Sequence, residues 1–334
     1  MREIPLPGSV YQPVPGFEDH LEEELRFLSG SAGKALPFER WGPLYYAPDR
    51  ACAQDPPPVF WRQNAWFRPF RLDFDSVSQA AKFLRAIQRN WAPVLHCCFR
   101  RGALIEARLP PVPRKKRPFP WLLPGVPMGA WALLDERCLA ASPECSSPFP
   151  GGVIEFAEDR SGPPSRAYLK LWESFVRCRV WPLPGERCLD AGASPGGWSW
   201  ALAKLGAKVS AVDRAPLEPG LLAMTGPDGS PAISYLKHDA FTLKPEDIGP
   251  VDWLFCDVIC YPSRLWEWIQ KWLASGLCAN FVCTVKMQGF YGPGREGWEI
   301  PRRLAALPGS RVLHLYHNRH ELTWIKLAEN RAAG

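Results

Sequence analysis

Cys188-Leu-Asp-Ala-Gly-Ala-Ser-Pro-Gly-Gly-Trp198 is the stretch whose reading decides the fold. The apolar run into Ala191 reads as a strand, and residues 198–205 read as the helix that follows. Between them, Gly192, Gly196 and Gly197 let the backbone turn tightly and come close to a ligand. The next strand, Lys208–Asp213, ends in an acid 23 residues after Asp190. A carboxylate at that place can hold both hydroxyls of a ribose. No Gly-Lys-Ser/Thr follows, so this is not a P-loop. Two of the glycines adjoin, so it is not G-x-G-x-x-G either.

Outward from the loop, strands and helices alternate. A helix is expected over 166–179, with Ser165 as its N-cap. Strands are expected over 233–236, 253–257 and 280–286, with a helix over 263–275 between the last two. A short helix near 298–307 and two final strands, 311–317 and 321–327, close the chain. Alternation of this kind predicts a doubly wound, mostly parallel sheet. The three-residue link Asn318-Arg319-His320 can join only antiparallel strands, so the last strand should run antiparallel. A strand, a glycine loop, a helix and a later acid in this order fit S-adenosylmethionine (SAM) better than a bare turn or an NAD site.

The N-terminal half reads differently. The 334 residues suggest about two domains. With 46% hydrophobic and 22% charged residues the chain is globular, which excludes a disordered polyelectrolyte. The net charge is only +6, but residues 62–117 carry 13 Lys or Arg against three acids. That asymmetry points to a polyanion-facing surface. Leu21, Leu25 and Leu28 recur at helical spacing within 17–28. Residues 61–109 suggest a small α+β unit, with a helix over 79–91 and strands over 67–74 and 103–109. Proline breaks regularity over 110–120, around the exposed cations Arg114, Lys115, Lys116 and Arg117. Residues 121–150 show no legible pattern. The expected organisation is an N-terminal region (1–60), a basic region with its linker (61–150) and an α/β domain (151–334).

The 11 cysteines form no CxxC pair and read as reduced thiols. No segment reads as a signal peptide, and no apolar run approaches the ~20 residues of a membrane helix. A cytoplasmic chain, monomeric by default and without a metal, is the expectation. His314, His317 and His320 cluster, but at strand spacing i and i+3 face opposite sides, which disfavours a metal site.

Asp-Ala-Gly-Ala-Ser-Pro-Gly-Gly-Trp-Ser (190–199) resembles the SAM loop of FtsJ/RrmJ-type RNA ribose 2′-O-methyltransferases, most of all their RlmM-like large-subunit rRNA branch. Residues 164–171, 253–258 and 317–323 also have counterparts there. The resemblance implies a Rossmann-like SAM-dependent methyltransferase fold and a smaller N-terminal α+β, THUMP-like RNA-binding region, here short and proline-rich. It implies a catalytic Lys-Asp-Lys-Glu tetrad made of Lys170, Asp257, Lys286 and Glu321. It also implies that SAM is held by Asp190, Gly192, Ser194, Pro195, Gly196, Gly197, Trp198, Asp213, Asp239 and Asp257. Gly192, Pro195, Gly197 and Trp198 would line the methionine side, Asp213 would face the ribose and Asp239 the adenine amino group.

A ribose 2′-OH must lose its proton as it attacks a methyl group, and Lys286 is the expected base. An ordinary lysine, with a pKa near ~10.4, needs a neighbouring cation or desolvation to serve. The partner would be RNA, bound through Arg114–Arg117 and neighbouring aromatic residues. Transfer RNA or a messenger cap remains open as substrate. So does a catalytically idle RNA-binding protein that keeps the fold.

Overall fold

The computed structural model describes residues 1–29, 38–48, 58–113, 115–123, 125–287, 289 and 298–332. The chain divides into two compact units, one of residues 1–117 and 123–155, the other of 118–122 and 156–334.

The first unit contains β1 (Arg2–Pro5), β2 (Ser9–Pro13), α1 (Glu18–Leu28), β3 (Glu39–Trp41), β4 (Leu44–Ala47), β5 (Arg62–Trp66) and β6 (Phe70–Asp73). It continues with α2 (Val77–Ile87), β7 (Trp91–Pro93), α3 (Phe99–Glu106), β8 (Gly129–Leu133) and β9 (Cys138–Ser142). The strands form a five-stranded sheet, β1-β6-β9-β8-β7, and a four-stranded sheet, β3-β4-β2-β5. Strands before residue 60 thus pair with strands after it: β1 with β6 and β2 with β5.

The pleat of the central strands explains the layering. Trp131, Leu133, Leu139 and Ala141 join one core with Leu84 of α2 and Ile105 of α3. Ala130, Ala132 and Ala140 join a second core with Val10 of β2 and Trp66 of β5. Successive side chains of a strand point to opposite faces, so β8 and β9 are covered on both.

Three sequence expectations change here. The segment expected as a strand over 103–109 lies largely in α3, where Ile105 faces the core, and Leu109 joins the same core just beyond the helix end. The helix expected to reach residue 91 stops at Ile87, and Trp91 opens β7. The Trp91 indole reaches back to the Leu84 and Gln88 carbonyls, 2.9 and 3.1 Å away, so its helical spacing reflects a contact with the helix end. The 121–150 segment holds β8 and β9.

The second unit contains α4 (Tyr168–Cys178), β10 (Arg187–Ala191), α5 (Gly197–Lys204), β11 (Lys208–Asp213), β12 (Ile233–Lys237) and α6 (Pro245–Ile248). After these come β13 (Trp253–Cys256), α7 (Pro262–Ser275), β14 (Asn280–Lys286), α8 (Glu299–Ala305), β15 (Ser310–Leu313), β16 (Glu321–Lys326) and α9 (Glu329–Ala332). Its seven strands run in the order β12-β11-β10-β13-β14-β16-β15. Neighbours from β12 to β14 pair in parallel. β16 enters between β14 and β15, antiparallel to both. This is a Rossmann-like α/β sheet with one antiparallel strand. Its order reverses at β10, so the loops after β10 and β13 flank the crevice where such sheets bind ligands.

The final link is longer than its sequence suggests, because β15 ends at Leu313. Residues 314–320 fold on themselves, with the Asn318 amide donating to the Leu315 carbonyl at 3.1 Å. α4 starts at Tyr168 with no side-chain cap, and Ser165 Oγ accepts only the Ala167 amide, at 3.4 Å. The ten cysteines among the described residues are free thiols. Among those residues no helix is long and apolar enough to cross a membrane.

Candidate functional site

The loop after β10 is built by close packing. Gly192 has φ +80°, and a Cβ there would overlap the Val258 side chain. Only glycine suits both conditions. This contact sets the glycine loop against the residue that follows Asp257. Gly196 has φ +114° and caps α5, while Gly197 lies so close to Ser165 that a Cβ would overlap its hydroxyl. Trp198 is buried, and its indole donates to the Ala167 carbonyl at 2.8 Å. Its ring therefore belongs to the packing between α5 and the start of α4. Ser194 donates its amide to Asp213 Oδ2 at 3.0 Å and its hydroxyl to the Pro216 carbonyl at 2.9 Å. Pro195 follows in the same turn, with its carbonyl accepting the Glu218 amide at 3.0 Å.

Asp213 ends β11, its other oxygen accepting the Ala215 amide at 2.8 Å. Two carboxylate oxygens have about four acceptor positions, so capacity remains for hydroxyl groups. Asp239 follows β12, where it accepts the Phe241 amide at 3.0 Å and pairs with Arg264 at 3.3 Å. Arg264 also lies over the Phe241 ring, 4.7 Å from its centre. Asp190 is sealed under the loop and accepts Ser199 Oγ at 2.6 Å. Burial pushes its carboxyl up to about 7, against the opposing pull of the Ser199 hydrogen bond.

Lys170, Asp257, Lys286 and Glu321 meet in one cluster. Lys170, from the first turn of α4, donates to Asp257 Oδ2 at 2.8 Å and to Glu321 Oε1 at 2.9 Å. Lys286, the last residue of β14, donates to Asp257 Oδ1 at 2.5 Å. Lys286 and Glu321 are register partners across β14 and β16. The lysine and Asp257 side chains are only 12–17% exposed. Burial works against the charge on Asp257, but the Lys286 and Lys170 ammonium groups outweigh it and hold the carboxyl below its usual range. Burial also opposes the charge on Lys170, and Asp257 and Glu321 reverse that, raising its pKa. Lys170 and Asp257 therefore stay ionised through the neutral range.

Several residues of the site carry no signal in the sequence. Thr284 donates its hydroxyl to Asp257 Oδ1 at 2.6 Å. It reads as an ordinary strand threonine, although it shares a face with Lys286 two residues on. Glu173, one turn beyond Lys170, is fully buried. It pairs with Arg177 and His317, each at 2.8 Å. An acid on an amphipathic helix gives no hint of that. His314 hydrogen-bonds the Arg319 carbonyl at 2.9 Å and His317 faces Glu173, so both are engaged within the fold. His320 is exposed at the turn before Glu321.

The basic run belongs to the first unit. Lys115, Lys116 and Arg117 are exposed, and Lys116 lies 3.0 Å from Glu155. Arg114 lies outside the described residues.

The FtsJ-like methyltransferase family model matches residues 163–283. A ribosomal RNA large subunit methyltransferase M of Azotobacter vinelandii is 34% identical over 195 residues, 55% of this chain and 53% of that protein. The protein of the same name from Xanthomonas oryzae pv. oryzae is 30% identical over 261 residues, covering 74% of this chain and 68% of its own. The chain belongs to the FtsJ-like methyltransferases. It spans about half the length of the first of these relatives. In this FtsJ-like chain the matched segment carries the glycine loop, Lys170 and Asp257. Lys286 and Glu321 follow it, and β14 and β16 bring them back to the same place.

Proposed function

We propose that this chain transfers the methyl group of SAM to a ribose 2′-OH in RNA, with large-subunit ribosomal RNA as the substrate. The observation that carries the reading is the closed Lys170–Asp257–Lys286 contact, joined by Glu321 and set against the glycine loop through Gly192 and Val258. Two relatives named ribosomal RNA large subunit methyltransferase M support the choice of RNA.

The residues present fit the cofactor. Gly192 and Gly196, both at positive φ, hold the loop in a tight turn, and α5 begins at Gly197 with no side chain capping its first amides, which suits an anionic or polar ligand group there. Asp213 keeps acceptor positions for ribose hydroxyls, and Asp239 presents a carboxylate beyond β12. When bound, SAM supplies an electrophilic methyl on a sulfonium. Everything else is the work of the chain. Asp257 orients both lysines and excludes a second charge state for itself. Lys286, an ammonium against Asp257 at rest, first gives a proton to solvent, then takes the 2′-OH proton as the oxygen attacks, and so returns to the ammonium held by Asp257. Lys170 and Glu321 fix the geometry, because in-line displacement depends on position.

The first unit is the RNA-binding part in this reading, fulfilling the THUMP-like role. Its 62–117 segment supplies cations for phosphate neutralisation.

The test is transfer from labelled SAM to deproteinised RNA from cells lacking this protein. Label in large-subunit rRNA, at one alkali-resistant linkage, is expected. Label on a base, or confined to transfer RNA, would overturn the assignment.

A further inference from the structure

Glu173 is a buried carboxylate with four hydrogen-bonding partners. Its Oε1 accepts the Tyr316 amide at 2.9 Å and Arg177 Nε at 2.8 Å. Its Oε2 accepts the His317 amide at 3.1 Å and faces His317 Nδ1 at 2.8 Å. An ionised carboxylate only accepts, so Nδ1 of His317 carries the proton. Three of these contacts come from the 314–320 connection, and that connection runs straight into Glu321. Glu321 in turn accepts Lys170, which stands one helical turn before Glu173 on α4. Helix and connection are therefore stitched twice, side by side, once through Glu173 and once through the reactive cluster.

The connection is tied at its other points as well. His314 Nε2 meets the Arg319 carbonyl at 2.9 Å, Asn318 Nδ2 donates to Thr323 Oγ1 at 3.0 Å, and the Met287 amide donates to the His320 carbonyl at 2.8 Å. Met287 follows Lys286, so this last bond couples the connection to the other lysine. Filling space on α4 does not require a charge. Buried ion pairs can often be replaced by apolar side chains without loss of stability. What an apolar side chain could not do is receive two consecutive backbone amides and a ring nitrogen together.

We propose that Glu173 is a positioning residue, which sets the placing of Glu321, and through it of Lys170 and Asp257, by clamping the 314–320 connection to α4. This rests on the function proposed above.

The test uses the full chain, SAM and large-subunit rRNA, with kcat, KM for SAM and thermal melting measured for Glu173→Gln, His317→Ala and His317→Asn. Glu173→Gln should lower kcat at least tenfold with KM for SAM within about twofold. His317→Ala should lower kcat in the same way, and His317→Asn should recover most of it, because its amide nitrogen falls near the position of Nδ1. A folded His317→Ala protein with wild-type kcat overturns the proposal, whether or not Glu173→Gln folds. Lys286→Ala in the same assay separates the two readings. Inactive Lys286→Ala beside active His317→Ala removes only the positioning role, whereas activity in both removes the reaction assignment beneath it.

Discussion

Asp190 is sealed beneath the glycine loop, and burial lifts its carboxyl to about 7. An acid whose folded pKa lies above its unfolded value of 3.8 contributes full stability below that value, and the contribution fades as pH rises to 7. Asp190→Asn should therefore flatten the fall in stability between pH 5 and pH 8, by at most about 3 kcal/mol, read from melting curves across that range. Parallel melting curves for the two proteins would count against this account of Asp190. Glu173 has the opposite sign. Burial would raise its carboxyl, but Arg177 and His317 bring it down to about 2, so its contribution is lost only as pH falls from 4.5 toward 2. Gly192→Ala should weaken SAM binding more than tenfold and cost about 1–3 kcal/mol in stability, because a side chain at φ +80° would also meet Val258. An unchanged Kd by calorimetry would contradict that. At this scale the sequence is only partly informative. Lys170 and Glu321 stand 151 residues apart, and family resemblance rather than spacing pairs them. Glu173 and Thr284 look ordinary because their roles depend on partners distant in the chain.

Among elements, β14 has the most consequence for the site. Thr284 and Lys286 share one face and converge on one oxygen of Asp257, while β16 brings Glu321 level with Lys286. Thr284→Val keeps the shape and removes the hydroxyl. It should lower kcat about tenfold, since a hydrogen bond to a charged group contributes roughly 1.5–3 kcal/mol, with SAM affinity unchanged. Normal turnover in steady-state assays would show that Asp257 needs only its lysines. The elements around this strand were readable: β11 and β14 have the bounds that their alternating and apolar runs predict. β8 and β9 were not, because strands covered on both faces lose the polar alternation that marks a half-buried sheet. α3 is hidden in the sequence for a related reason. Its eight residues span barely two turns, too few for helical periodicity to stand out against a strand.

For the whole molecule, the run of consecutive cations and the paired reactive lysines fall on different units. The tightly paired lysines belong to the second unit, and the Arg114–Arg117 run to the first. Replacing Arg114, Lys115, Lys116 and Arg117 by Gln should reduce the salt dependence of RNA binding by two to three phosphate equivalents, each about 0.7 in the log–log slope for single strands. The full four is not expected, because Lys116 already pairs with Glu155. SAM binding should not change. An unaltered salt slope in filter-binding titrations would remove this run from the RNA interface. The two-part organisation is visible in the chain as a shift from proline-broken, basic sequence to regular strand–helix alternation. The pairing of β1 with β6 and β2 with β5 is not, since those contacts join segments far apart in the chain and no local pattern records them.

The central claim is that Lys286, held by Asp257, takes the proton of a ribose 2′-OH. Its most direct test is single-turnover methyl transfer to large-subunit rRNA by the wild-type protein and by Lys286→Ala, with SAM affinity measured for both. The account predicts a loss of at least a hundredfold in rate for Lys286→Ala, with SAM affinity within about threefold, as for a positioned general base. A Lys286→Ala protein that binds SAM normally and transfers methyl at the wild-type rate would contradict it.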